Sequence, residues 1–295
     1  MSVISFPELR CREKILPLGS NVLIMGILNV TPDSFSDGGR FADPEIAVDQ
    51  AQKMIAEGAD IIDIGGESTR PGVPYVDEDE EIERIRPIVE ALGKRTDIPL
   101  SIDTRKAAIA QVALDFGAAI VNDVSAMQDD SRMAQVVQES GAGVVLMHRQ
   151  GHSATMQEAP YYTDVVHDVK IFLSERVTWA QSMGIQPDRI IVDPGIGFGK
   201  TCSHNLKILA NLGKCLQLDQ PLMVGVSRKA FIGELTGKPV TEREMGNAAA
   251  MAMAVWQGVS ILRVHDVAAT KDVIRVAQAL RNSCDKYKEG HDTGG

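Results

Sequence analysis

The sequence predicts a (β/α)8 TIM barrel, and three observations carry that expectation. Short apolar runs alternate with longer amphipathic ones, eight such runs occur without a break in composition, and each has a polar or charged residue at its end or within two residues of it. Runs of this length, rich in β-branched residues and apolar almost throughout, suit parallel strands buried on both faces. Barrels of about 250 residues commonly form one domain, which a chain of 295 residues accommodates. On pattern alone, an open doubly wound sheet is the alternative.

The elements follow in order. Residues 1–20 read as an N-terminal extension, 21–284 as the barrel and 285–295 as a flexible tail. The first strand, VLIMGIL (22–28), leads into the Gly- and Ser-rich stretch NVTPDSFSDGG (29–39). Asp43 is placed to cap a helix that Pro44 opens, with Ala47, Val48, Ala51, Met54 and Ile55 on one face and Gly58 as its stop. The second strand, DIIDIG (60–65), is followed by GGESTRPG (65–72). These long first and second βα loops exceed the usual length and read as lids over a substrate.

The acidic run DEDEEIERIR (77–86) suits the N-terminus of a helix, where carboxylates meet the macrodipole and Ile82, Ile85 and Val89 form a buried stripe. The remaining strands are IPLSID (98–103), AAIVND (118–123), GVVLMH (143–148), RIIVD (189–193), PLMVGV (221–226) and SILRVH (260–265). Ser203 is the expected cap of a helix carrying Leu206, Leu209 and Leu212.

Composition narrows the function classes. A net charge of −10 argues against a nucleic-acid groove, which needs clustered Lys and Arg. The longest apolar stretch, Ala248 to Trp256, is far short of the roughly 20 residues of a membrane span. The four cysteines form no CxxC pair, and charges interrupt the N-terminus where a signal peptide has its apolar core, so a reducing, cytoplasmic setting is expected.

Barrel enzymes work at the C-terminal ends of their strands. There the sequence places Asn29, Asp63 with Glu67, Asp103, Asn122, His148, Asp193, the trio Ser227, Arg228 and Lys229, and Arg263 with His265. A single polar strand end means little, but eight of eight predict a site, since burying such groups without partners is costly. Arg263 and His265 share a face by strand period and form a candidate anion clamp. DPGIGFGKT (193–201) resembles a phosphate loop, but Pro194 stands where that pattern needs glycine, so a glycine-lined wall with Phe198 available to stack on a flat ring is the better reading. His152, His167 and His204 read as structural or solvated.

The blocks MGILNVTPDSFSDGG, IIDIGGESTRPG, SIDTRK, NDVSA, MHRQG, DPGIGFGK, GVSRKAFIG and RVHDV occur in this order at the strand ends. Together, over residues 22–275, they resemble the dihydropteroate synthases of the pterin-binding enzymes. The resemblance implies condensation of a dihydropterin methyl diphosphate with 4-aminobenzoate, and a homodimer. It implies that Asp103, Asn122, Asp193 and Lys229 read the pterin, with Met147 and Phe198 against the ring. It places Arg263, His265 and Thr69 at the diphosphate, and gives Asp103, Asp193, Lys229, Arg263 and His265 the catalytic roles. Phe35, Asp37, Arg70, Ser227, Arg228 and Ala230 fall on the aminobenzoate side. Magnesium (Mg2+) is implied with Asn29 as its protein ligand, the diphosphate and water supplying the rest. Many relatives carry Ser where this chain has Ala230, a departure that leaves the backbone N–H at that helix start as the anion donor. A pterin-binding methyltransferase domain and a catalytically silent paralogue are the alternatives.

Overall fold

The computed structural model describes residues 7–19, 21–31, 44–67, 76–151 and 155–289. It opens with a hairpin, β1 (Glu8–Cys11) and β2 (Lys14–Pro17), paired antiparallel. Eight strands follow: β3 (Leu23–Asn29), β4 (Ile61–Gly65), β5 (Leu100–Asp103), β6 (Ile120–Asp123), β7 (Gly143–Met147), β8 (Ile190–Asp193), β9 (Met223–Val224) and β10 (Ile261–Val264). They lie parallel in the order β8-β7-β6-β5-β4-β3-β10-β9, and a parallel bridge between Val192 and Leu222 joins the two ends into a ring.

The helices are α1 (Pro44–Glu57), α2 (Glu78–Arg95), α3 (Ala107–Asp115), α4 (Met133–Ser140), α5 (Val165–Ser182), α6 (Cys202–Ala210), α7 (Ala230–Thr236), α8 (Glu244–Gln257) and α9 (Val267–Glu289). Each predicted strand is present within two or three residues of its expected bounds. The phosphate-loop-like stretch lies, as its position after the sixth barrel run implies, between β8 and α6.

Strand period decides what faces where. Ile24, Ile62, Ile64, Ile102, Val121, Val144, Val192 and Leu262 point outward into the main core under the helices. The alternate residues Leu23, Met25, Ile61, Ile120, Val145, Ile191, Met223 and Ile261 form a second cluster inside the ring at its N-terminal end. The hairpin completes that cluster with Leu9, Cys11 and Leu16. It is fastened there by Arg12, which donates to the carbonyls of Leu114 (2.7 Å) and Ala118 (3.2 Å). The segment expected as an extension therefore contains a plug for the barrel's lower mouth.

One local expectation needs correction. Helix α6 is capped by Thr201, not Ser203: the Thr201 hydroxyl accepts from His204 N–H at 3.2 Å, and the His204 ring reaches back to Thr201 N–H. Of the expected stripe, Leu206 faces solvent, Leu209 packs partly buried against the core and Leu212 is buried, as is Ile208. The acidic run does open α2, with Asp77 as its cap, and within it Glu81 is fully buried. Lys106 meets it there at 2.7 Å.

Candidate active site

The period that sends Ile61, Ile120, Ile191 and Ile261 into the lower layer sends the residue two places on to the layer above. Those residues are Asp63, Asn122, Asp193 and Arg263, and Asp103 joins them from β5. Asp63 is fully buried and binds two of its neighbours through one oxygen: Oδ2 accepts from Arg263 Nε at 2.6 Å and from Asn122 Nδ2 at 3.0 Å. Arg263 Nη2 donates to Asp103 Oδ2 at 2.6 Å. The second oxygens, Asp63 Oδ1 and Asp103 Oδ1, are buried without a hydrogen-bond partner. Asp193 Oδ1 accepts from Gly195 N–H at 2.7 Å. Lys229 Nζ lies over the Phe198 ring, 4.1 Å from its centre, and its stem runs along Gly197.

Crowding and burial shift these charges. Burial pushes Asp103 up to about 7 against the pull of Arg263, and Asp63 adds to the rise. Asp193 is raised to about 6 by burial, opposed by the Gly195 N–H and by Lys229, Arg263 and Lys200. Burial and Arg263 bring Lys229 down to about 8. Burial works against the Arg263 charge too, but Asp63 and Asp103 hold it more firmly protonated than an ordinary arginine. Perturbed groups converging at strand ends mark a functional site.

At the barrel's rim, His265 Nδ1 lies 3.0 Å from Ser227 Oγ. The turn through Arg228 is left-handed (φ 60°), held by Asn247 Oδ1 accepting from Arg228 N–H at 3.1 Å and by Arg243 on the carbonyls of Arg228 and Lys229. Arg228 and Ala230 are exposed there. Arg263 does not stand free beside His265 as an anion clamp. Two of its five N–H donors already serve carboxylates, leaving three to offer a ligand.

His148 is brought elsewhere. It follows Met147 directly, so strand period turns it outward, where it packs edge-on against Phe172 at 4.8 Å. The glycine wall also differs from its sequence reading. A Cβ on Gly195 would fall 1.9 Å from the His148 carbonyl oxygen, and one on Gly199 2.3 Å from that of Gln150. These two glycines admit backbone, not a ring; Gly197, Phe198 and Lys229 form the face left for one. Phe35, Asp37, Thr69 and Arg70 lie outside the described residues. Asp63 is the residue whose part in the site the sequence left unassigned, although the alternation Ile-Asp-Ile in β4 already aims it inward.

Among the described residues, no group of three or more His, Cys, Asp or Glu could hold a metal ion. Gly65 nevertheless leaves an oxygen-lined gap. A Cβ there would lie 3.6 Å from Asp103 Cβ, 3.8 Å from Asp103 Oδ2 and 4.0 Å from Asn29 Oδ1. Hard oxygen donors few in number fit magnesium that a phosphate-bearing ligand brings with most of its shell.

A parallel barrel with buried carboxylates, an amide and a lysine converging inside its C-terminal mouth defines a site for a flat, donor-rich heterocycle. The chain belongs to the pterin-binding enzyme family, whose model matches residues 25–265. Its place within that family is among the dihydropteroate synthases. It is 46% identical over 260 residues to the dihydropteroate synthase of Haemophilus influenzae, covering 88% of this chain and 94% of that one. The Xanthomonas albilineans dihydropteroate synthase solved with 4-aminobenzoic acid superposes with a TM-score of 0.87 at 44% identity, over 93% of this chain and 98% of that one. The same organism's enzyme in complex with 7,8-dihydropteroate gives 0.84 at 42% identity, over 93% and 99%.

Proposed function

We propose that the residues around Asp103 carry out the family's reaction on this chain. (7,8-Dihydropterin-6-yl)methyl diphosphate is joined to 4-aminobenzoate, giving 7,8-dihydropteroate and pyrophosphate. The observation that carries the assignment is the buried, unpartnered Asp103 Oδ1, on the strand position paired with Asn122. A buried acceptor without a donor costs stability unless a ligand supplies one, and the pterin's amino-pyrimidine edge presents N–H donors. The Xanthomonas albilineans enzymes with 4-aminobenzoic acid and with 7,8-dihydropteroate support the choice of substrate and product.

Asp103 and Asp193 accept from the pterin edge, Asn122 is oriented by Asp63, and Lys229 donates from the Phe198 side, with Met147 beneath the ring. Arg263, through its remaining N–H groups, His265 and Thr69 face the diphosphate. The arylamine is a weak nucleophile and pyrophosphate a good leaving group once its charge is met, so departure leads attack. The ionised Asp103 and Asp193 then lie close to the positive charge that develops on the pterin methylene. Ser227, Arg228, Ala230, Phe35, Asp37 and Arg70 make the aminobenzoate side. Asn29, across the gap at Gly65 from Asp103, would hold magnesium, which neutralises diphosphate charge when bound.

The test supplies the diphosphate, magnesium and 4-aminobenzoate to the purified protein. Dihydropteroate and pyrophosphate in equal amounts are expected, and their absence overturns the reading. Asp103→Asn should lower kcat by about a hundredfold while changing pterin affinity less than about tenfold. Small, equal losses in both count against a cationic methylene.

A homodimer is part of the proposal. Met253 and Trp256 on α8 and Val276 and Leu280 on α9 are large apolar side chains left exposed on adjoining helices, the kind of surface a second copy covers. Light scattering should return twice the chain mass. The four free cysteines support a cytoplasmic setting, and no described helix is long and apolar enough to cross a membrane.

A further inference from the structure

The lysine of DPGIGFGKT lies behind the pocket wall. Lys200 and His148 are both buried. Lys200 Nζ sits 2.9 Å from His148 Nδ1, 3.0 Å from the Phe198 carbonyl oxygen and 3.3 Å from that of His148. Burial brings the Lys200 amine down to about 7, so it is an ammonium below that pH, and its three hydrogens then meet three acceptors. Burial, and then the Lys200 charge, hold the His148 imidazole far below its ordinary range, so the ring is neutral and Nδ1 accepts.

The ring is fixed in turn by Phe172 and by Tyr162, whose hydroxyl donates to the Gly199 carbonyl at 2.8 Å. Asn205 Oδ1 accepts from Gly197 N–H at 2.8 Å. The 194–199 segment is thus stapled from behind to the end of β7, and its front carries Asp193 at one end and Phe198 under Lys229 at the other.

We propose that Lys200 is a positioning residue of the pterin pocket: its ammonium ties the Phe198 backbone to His148 and so sets Phe198, Lys229 and Asp193 at the pocket wall. It also faces Asp193 as a charge. Asp193 is met by Lys229, Arg263, Lys200 and the Gly195 N–H, and Lys200 by Asp193, Lys229, Cys215 and the neutral His148. Removing the ammonium takes one of three cations away from Asp193, which then holds its proton to higher pH.

The proposal rests on the pocket being the pterin site, and two variants separate the failures. Lys200→Met should weaken binding of the pterin diphosphate, measured by calorimetry with magnesium, by about tenfold, the scale of one lost buried contact. The KM for 4-aminobenzoate should stay within about twofold, and the acidic limb of kcat/KM for the pterin should move to higher pH. His148→Leu breaks the staple but keeps the charge, so pterin affinity should fall while the acidic limb stays in place. If Lys200→Met does not fold, His148→Leu decides alone. Pterin affinity within about twofold of wild type in a folded variant, or equal losses for both substrates with an unmoved acidic limb, overturns the proposal. A wild-type protein that makes no dihydropteroate overturns the pterin reading itself.

Discussion

Asp103 and Asp193 bind their protons more tightly in the folded chain than an exposed aspartate does, because burial penalises the carboxylate. Where the folded state binds more protons than the unfolded one, stability falls as pH rises. For Asp193 that window runs from the ordinary value of 3.8 up to about 6, and above it the full penalty stands. Asp193→Asn keeps an oxygen for the Gly195 N–H and removes the charge. At pH 7.5 it should raise Tm by about 2–4 °C, an advantage that vanishes below about pH 4, while pterin affinity drops. Thermal melts across pH check this, and an unchanged or lowered Tm at pH 7.5 sinks it. Ala230 makes a second prediction at this scale. A serine at this exposed position beside Lys229 would add a hydroxyl donor for the aminobenzoate carboxylate. Ala230→Ser should therefore lower the KM for 4-aminobenzoate by about threefold to tenfold, the range of one exposed hydrogen bond. Equal KM values would show that the backbone suffices.

Between residue and fold, the base of the second βα loop depends on a buried ion pair that joins two elements. Lys106, just before α3, donates to Glu81 of α2 at 2.7 Å and to the Val76 carbonyl at 2.6 Å, with Glu67 at 3.4 Å. Breaking such a pair leaves a charge buried alone, at a cost of about 3–5 kcal/mol. Lys106→Met should lose that much in urea unfolding, and Glu81→Gln added to it should recover most of it. No recovery would mean that the Val76 contact dominates. Glu81 also shows where sequence reading stops. The eight strands are legible because short apolar, β-branched runs suit parallel strands buried on both faces, and Asp103, Asn122 and Asp193 because each is a polar residue at the end of its run. Glu81 sits in a run of carboxylates that are alike as letters, and only the approach of Lys106, a contact across 25 residues, marks it out. His148 is also a polar residue at the end of its run, but it stands one residue out of phase with the inward layer and so turns to Phe172. Asp63 and Arg263 pair across 200 residues, which no local pattern encodes.

At the scale of the whole molecule, the barrel separates a lower end that holds it together from an upper end that carries unpaid charge. The upper layer contains carboxylates raised by burial and two oxygens without partners, whereas the lower layer is apolar and closed by the β1–β2 hairpin. Leu9 and Cys11 are fully buried in it and Leu16 nearly so. Cys11 sits so tightly against β7 that a Cβ on Gly143 would come within 2.8 Å of its sulfur. If the hairpin serves stability and the strand ends serve chemistry, damage to one should leave the other intact. Leu9→Ala deletes buried methyl groups where the ring's rigid strands can collapse little, so it should cost about 2–4 kcal/mol of unfolding free energy. At 25 °C, with the folded fraction near one, kcat/KM for both substrates should stay within about twofold of wild type, because Leu9 lies a full barrel layer below Asp103. Denaturant titration and steady-state kinetics on the same preparation decide it. A selective fall in kcat/KM without loss of stability would show that the lower plug is coupled to the pocket through the strands.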